Sequence, residues 1–152
     1  MTDAHRLVAD VVAGRVKPGV YQWRSAAAGR GTWREPAERA GWRTFYLDGH
    51  LIRNRAAFLR HCAETFAFPD WFGQNWDALE ECLRDLSWLP AANGSLVVYD
   101  AWTELAGSDE PVFRTALAVF GEAVEAWRDT ATPMTVLLPS AATEVAGVPK
   151  LA

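Results

Sequence analysis

Phe68-Pro69-Asp70-Trp71-Phe72-Gly73-Gln74-Asn75-Trp76-Asp77-Ala78-Leu79-Glu80-Glu81-Cys82-Leu83-Arg84-Asp85 divides into a turn-rich loop and an amphipathic helix. At about 100° per residue, Trp76, Leu79, Leu83 and Leu86 fall in one narrow stripe with Cys82 at its edge, so this side packs on a core. Asn75 is placed to cap the helix, and Gly73 offers the backbone freedom that a bend into it uses. The other side holds Asp77, Glu80, Glu81, Arg84 and Asp85. Helix stability alone would not choose that set. Asp77 and Glu81 stand four apart, as do Glu81 and Asp85, and like charges at that spacing repel. A solvated face with Glu80 and Arg84 paired across one turn would account for the charges, but the loop argues for more. Trp71 and Phe72 are adjacent aromatics in a segment rich in turn residues, where both cannot easily face one core. One exposed aromatic beside a rigid acidic face has the composition of a binding hot spot.

Outward from this stretch, strands alternate with pairs of helices. Thr44-Phe45-Tyr46-Leu47 predicts a strand closed by Asp48-Gly49. Asn54 caps a helix whose Phe58, Leu59, Cys62 and Phe66 share a face, with Pro69 as its breaker. After the acidic helix, Asn93-Gly94 turns the chain into an apolar strand from Ser95 to Tyr99. A short helix from Ala101 to Ala106 precedes a long one, opened by Ser108 or Asp109 with Pro111 in its first turn. Its Phe113, Leu117, Phe120, Val124 and Trp127 recur at helical spacing. Met134 to Leu138 is a last strand, ended by Pro139. This order predicts an α/β domain: a three-stranded parallel sheet with right-handed crossovers, packed with about four helices.

Residues 1–40 are less patterned and form an N-terminal extension to a domain spanning 41–140, with 141–152 as a C-terminal tail. The extension holds a short helix near Asp3 to Ala13 and a candidate edge strand, Val20-Tyr21-Gln22-Trp23. The segment SAAAGRGTWREPAERAG that follows lacks apolar periodicity and reads as a long loop.

The chain of 152 residues has room for one sizeable core. With 50% hydrophobic and 22% charged residues it should fold. Its net charge of -4 argues against nucleic acid as a direct ligand. The charge is uneven: residues 1–43 hold eight Lys or Arg against four Asp or Glu, and residues 44–152 hold seven against fifteen. An acidic body of this kind steers basic partners toward itself. The basic first zone has two readings: an edge strand and a surface loop, which is the expected one, or a segment that folds back over the acidic helix and moves aside for a partner. Cys62 and Cys82 lack metal-type spacing and read as buried free thiols in a reducing compartment. His5, His50 and His61 are scattered. Asp70, Asp77, Glu80 and Glu81 could supply an acid/base pair only if two of them converged, whereas residues on one exposed helix face point outward. No catalysis, metal site or cofactor is expected. Neither a signal peptide nor a membrane span is visible, so a cytoplasmic protein without a membrane partner is expected.

The string Trp71-Phe72-Gly73-Gln74-Asn75-Trp76-Asp77-Ala78-Leu79-Glu80-Glu81-Cys82-Leu83 resembles the barstar family, whose motif runs aromatic-aromatic-Gly-x-Asn-x-Asp-Ala-Leu-x-acidic-Cys-Leu. The element order from Trp42 through Leu138 resembles it as well. The resemblance implies a proteinaceous inhibitor that forms a one-to-one complex with a small basic extracellular ribonuclease. Its loop and helix would enter the substrate groove and place acidic side chains where RNA phosphates go. By that resemblance Trp71 and Phe72 are the aromatic pair, Gly73 and Asn75 the bend and cap, and Asp77 and Ala78 the first turn of the inhibitory helix. Glu81 takes the key acidic position, flanked by Glu80 and Arg84, and Glu122 on the long helix also reaches the enzyme. Four positions depart from the pattern. Glu81 is one methylene longer than the frequent Asp, Glu80 stands where relatives can carry Trp, and Trp71 and Phe72 lack phenol hydroxyls. The alternative is a binding module of the same fold for a non-ribonuclease toxin or a regulatory partner.

Overall fold

A computed structural model describes residues 3–25 and 32–151. The remaining part of the predicted long loop, residues 26–31, lies outside the described residues. The elements are α1 (Asp3–Val12), β1 (Val20–Arg24), α2 (Arg34–Arg39), β2 (Arg43–Asp48), α3 (Arg55–Thr65), α4 (Trp76–Asp85), β3 (Ser95–Asp100), α5 (Thr103–Ser108), α6 (Glu110–Trp127), β4 (Met134–Ser140) and β5 (Lys150–Leu151). A 3₁₀ turn, Gly49–Leu51, follows β2.

The α/β architecture and the parallel sheet are as predicted, but the sheet has five strands rather than three, in the order β2-β3-β4-β1-β5. Every pairing is parallel. β1 is not an edge strand: it runs beside β4 from Val20↔Val136 to Arg24↔Ser140 and receives β5 on its other side. Burial on both faces explains why the strands read as near-continuous apolar runs. Phe45, Leu47, Val97, Tyr99, Val136 and Leu138 point to one face, where they meet residues of α3, α4, α5 and α6. Tyr46, Leu96, Val98, Leu137 and Trp23 point to the other, where they meet α1 and α2.

That second layer is what the expected fold lacked. Within the segment predicted as loop, Trp33 and Ala37 stand four residues apart and are both fully buried, and α2 forms around them. Two apolar residues in an Arg/Glu-rich run are too few to show a helical period. The described N-terminal elements therefore cover the far face of the sheet and do not fold over the acidic helix. After β4, Gln22 ties the chain back. Its buried side-chain amide donates to the Val145 and Val148 carbonyls at 2.9 and 2.6 Å and accepts from the Val145 N–H at 2.9 Å.

Two prolines act differently from expectation. α3 ends at Thr65, well before Pro69, and Ala67 then turns the chain with φ 54°. Pro139 lies inside β4. The Val136 N–H donates toward β1, to the Gly19 carbonyl, so alternation turns the Pro139 nitrogen toward β3. There the ladder has already ended, at Val98↔Leu137, and no donor is missed.

Candidate partner-binding surface

Asn75 starts α4 with extended backbone, and its side-chain oxygen accepts from the Ala78 N–H at 2.8 Å. Its amide nitrogen donates to the Gly73 carbonyl at 3.2 Å, which folds the loop onto the cap. The sharp bend is made by Gln74, with φ 55°, and not by Gly73. Gly73 serves by being small: a Cβ there would stand 3.2 Å from the Asn75 amide nitrogen and 3.7 Å from the Ala78 Cβ. The bend thus turns on the close approach between Gly73 and its cap.

The aromatic pair divides as the loop composition predicted. Phe72 is buried and packs on Phe68 at 4.8 Å between ring centroids, while Trp71 is 62% exposed. Leu79, Cys82 and Leu83 are buried in the core of the helical layer, and Leu86 caps α4 in the left-handed region. Trp76, half-buried, lies against Phe58 at 5.8 Å. Beside it, the Trp127 indole N–H on α6 donates to the Leu83 carbonyl at 2.7 Å. α4 is thus held on its inner side along its whole length, which leaves Asp77, Glu81, Arg84 and Asp85 exposed on a rigid support.

Glu80 behaves differently from these four. It faces the groove between α4 and α6, half-buried, with Arg84 at 3.2 Å as the turn pairing predicted. Its carboxyl also shares a hydrogen bond with that of Glu122, which is exposed on α6. That shared bond, then partial desolvation, then the Glu122 charge raise the Glu80 carboxyl above the usual glutamate range; Arg84 pulls the other way. The sequence marks both glutamates but not their contact. A contact between helices so far apart in sequence leaves no periodic signal in either. Trp88, next to Trp71, carries no periodic signal either, because Leu86-Ser87-Trp88-Leu89-Pro90 belongs to neither helix nor strand.

The remaining candidates for chemistry stand apart. Cys62 and Cys82 are both buried and unpaired in disulfides, and burial holds both thiols up in pKa. The His61 imidazole accepts from the Asp48 N–H at 3.2 Å, away from α4. Of the acidic side chains of α4, Asp77, Glu81 and Asp85 present their charge outward, and Glu80 alone turns toward α6.

Solved structures of the Aeropyrum pernix ORC2 protein share the fold. Its ADP form superimposes with a TM-score of 0.58 at 17% identity, covering 90% of this chain and 39% of that one. The ADPNP-ADP complexes give a TM-score of 0.60 at 17% identity, covering 91% and 40%. This chain therefore spans about two fifths of the length of those proteins. The sequence carries no G-x-x-x-x-G-K-[ST] phosphate loop. No curated protein matches the chain. A family does: the profile described as Barstar (barnase inhibitor) covers residues 42–139, from the start of β2 to the end of β4 and with α4 inside it. The chain belongs to the barstar family.

Proposed function

We propose that this protein is an intracellular inhibitor that plugs the active site of a small basic secreted ribonuclease in a one-to-one complex. One arrangement carries the reading. Asp77, Glu81 and Asp85 are exposed on a helix locked into the core on its inner side, and the exposed Trp71 stands at its entrance. A site that cleaves RNA holds cations to bind phosphates and stabilise their charge in the transition state. A preorganised row of carboxylates satisfies those cations and offers no scissile bond. The protein's role is binding, without a reaction of its own, cofactor, nucleic acid ligand or membrane. The cytoplasm is the proposed location, since two buried free thiols suit a reducing compartment.

The test is inhibition of a panel of small basic bacterial ribonucleases by the purified protein, at low and at high salt. Tight one-to-one inhibition that weakens with salt is the expected result. A second reading has one observation in its favour. Glu80 faces the α4–α6 groove with its carboxyl bound to Glu122 and Arg84, where relatives can carry an apolar indole. A client shaped to that groove could be a different toxin or a regulatory protein. Failure across the whole ribonuclease panel would favour it.

A further inference from the structure

We propose that Trp88 is a positioning residue for the binding face: it holds the exposed Trp71 in the orientation in which the partner meets it. The inference rests on the reading of α4 and its loop as that face. Trp71 lies in a loop without regular structure, and most of its surface is open. Left to itself, an indole so placed would sample several rotamers and lose that freedom on binding. Trp88 stands against it at 6.5 Å between centroids, with the ring planes at 88°. Such an edge-to-face contact favours one relative orientation.

Trp88 is itself fixed. Its indole N–H donates to the Phe66 carbonyl at 3.0 Å, and its ring meets Phe68 at 5.9 Å, again at 88°. Phe68 in turn stacks on the buried Phe66 at 5.7 Å and packs against the buried Phe72 at 4.8 Å. A continuous aromatic path therefore runs from the core to the exposed ring, and Trp88 is its last fixed member. The backbone puts it there. Leu86 closes α4 at φ 52°, and the Leu89 N–H then bonds back to the Leu86 carbonyl at 3.1 Å, which folds the chain after α4 beside the loop before it.

The experiment reads the mobility of Trp71 directly, in the free protein. The Trp71 indole N–H resonance is identified by its loss in Trp71→Phe, and its ¹⁵N heteronuclear NOE is measured in wild type, Trp88→Phe and Trp88→Leu. An ordered indole in wild type, partly retained with Phe and lost with Leu, is the expected result. Equal order in wild type and Trp88→Leu would overturn the proposal. If Trp88→Leu does not fold, the wild type decides alone, because absence of any NOE cross-peak between the two indoles also overturns it. With a ribonuclease from the panel in hand, Trp88→Leu should speed dissociation about fivefold or more. It should do so much less in a Trp71→Ala background, whereas equal effects in both backgrounds would count against the proposal. The NMR measurement needs no ribonuclease, so its failure and failure of the inhibitor reading are separately visible.

Discussion

Asp77 and Glu81 are both exposed one turn apart on α4, and in the free protein their mutual repulsion costs about 0.3 kcal/mol. A cation standing between them would relieve that cost, which is the state the inhibitor reading describes. Asp77→Ala or Glu81→Ala should therefore leave folding nearly unchanged while weakening the complex by at least ~2 kcal/mol. Titration calorimetry with the inhibited ribonuclease checks this, and wild-type affinity in both variants would move the binding face away from α4. Glu80 adds a pH dependence. Its carboxyl holds a proton more tightly in the folded protein than in the unfolded chain, through the bond shared with Glu122. The stabilisation that follows is complete below the ordinary glutamate range, about pH 4.3, and is lost as pH rises through the raised value. The stability of wild type relative to Glu80→Gln should fall over that interval and then level off. Urea midpoints of the two proteins at several pH values measure it, and a pH-independent difference would show that no proton is shared. A third residue argues purely about stability. Tyr99 is fully buried in the core and its hydroxyl has no hydrogen-bond partner among the described residues. Tyr99→Phe should be neutral or stabilising, by up to about 1 kcal/mol.

Among the elements, α4 depends on a single polar contact for its start. Asn75→Ala removes the bond to the Ala78 N–H and the brace to Gly73, and should cost about 1 kcal/mol in chemical denaturation. Asn75→Asp keeps the cap acceptor and should recover most of that. The contrast shows what could be read from the sequence. Caps at Asn54, Asn75 and Asp109 all form where the polar residue precedes an apolar period, because capping is local and leaves a local signature. The strands β2, β3 and β4 were equally legible as runs of β-branched and aromatic residues. What escaped depends on distant partners. β5 is two residues long and exists only because β1 offers an edge, while α2 is a helix because Trp33 and Ala37 fill a space beneath the sheet. The same holds at the site. The cap, the acidic face and the division of Trp71 from Phe72 follow from the local string, whereas the Glu80–Glu122 bond arises only where α6 comes to lie beside α4.

For the whole molecule, the uneven charge takes on a different meaning once the layers are known. Among the described residues, α1 and α2 of the basic first segment lie on one face of the sheet, and the acidic α4 lies on the other. α4 is thus open to a partner without any displacement, and long-range attraction can act on first approach. Removing the first forty residues should then not speed association. It would strip Val8, Val11, Trp23, Trp33 and Ala37 from a face of the sheet that they bury, and small domains have only about 5–15 kcal/mol of stability in total. A point substitution tests the same idea without dismantling the fold. Trp33→Ala, at a fully buried position on the face away from α4, should cost about 3–5 kcal/mol of stability. The association rate with the ribonuclease, measured by stopped flow on folded protein, should stay within about twofold of wild type. A markedly faster rate would mean that the N-terminal layer does restrain α4, and that the two faces of the sheet are coupled through its core.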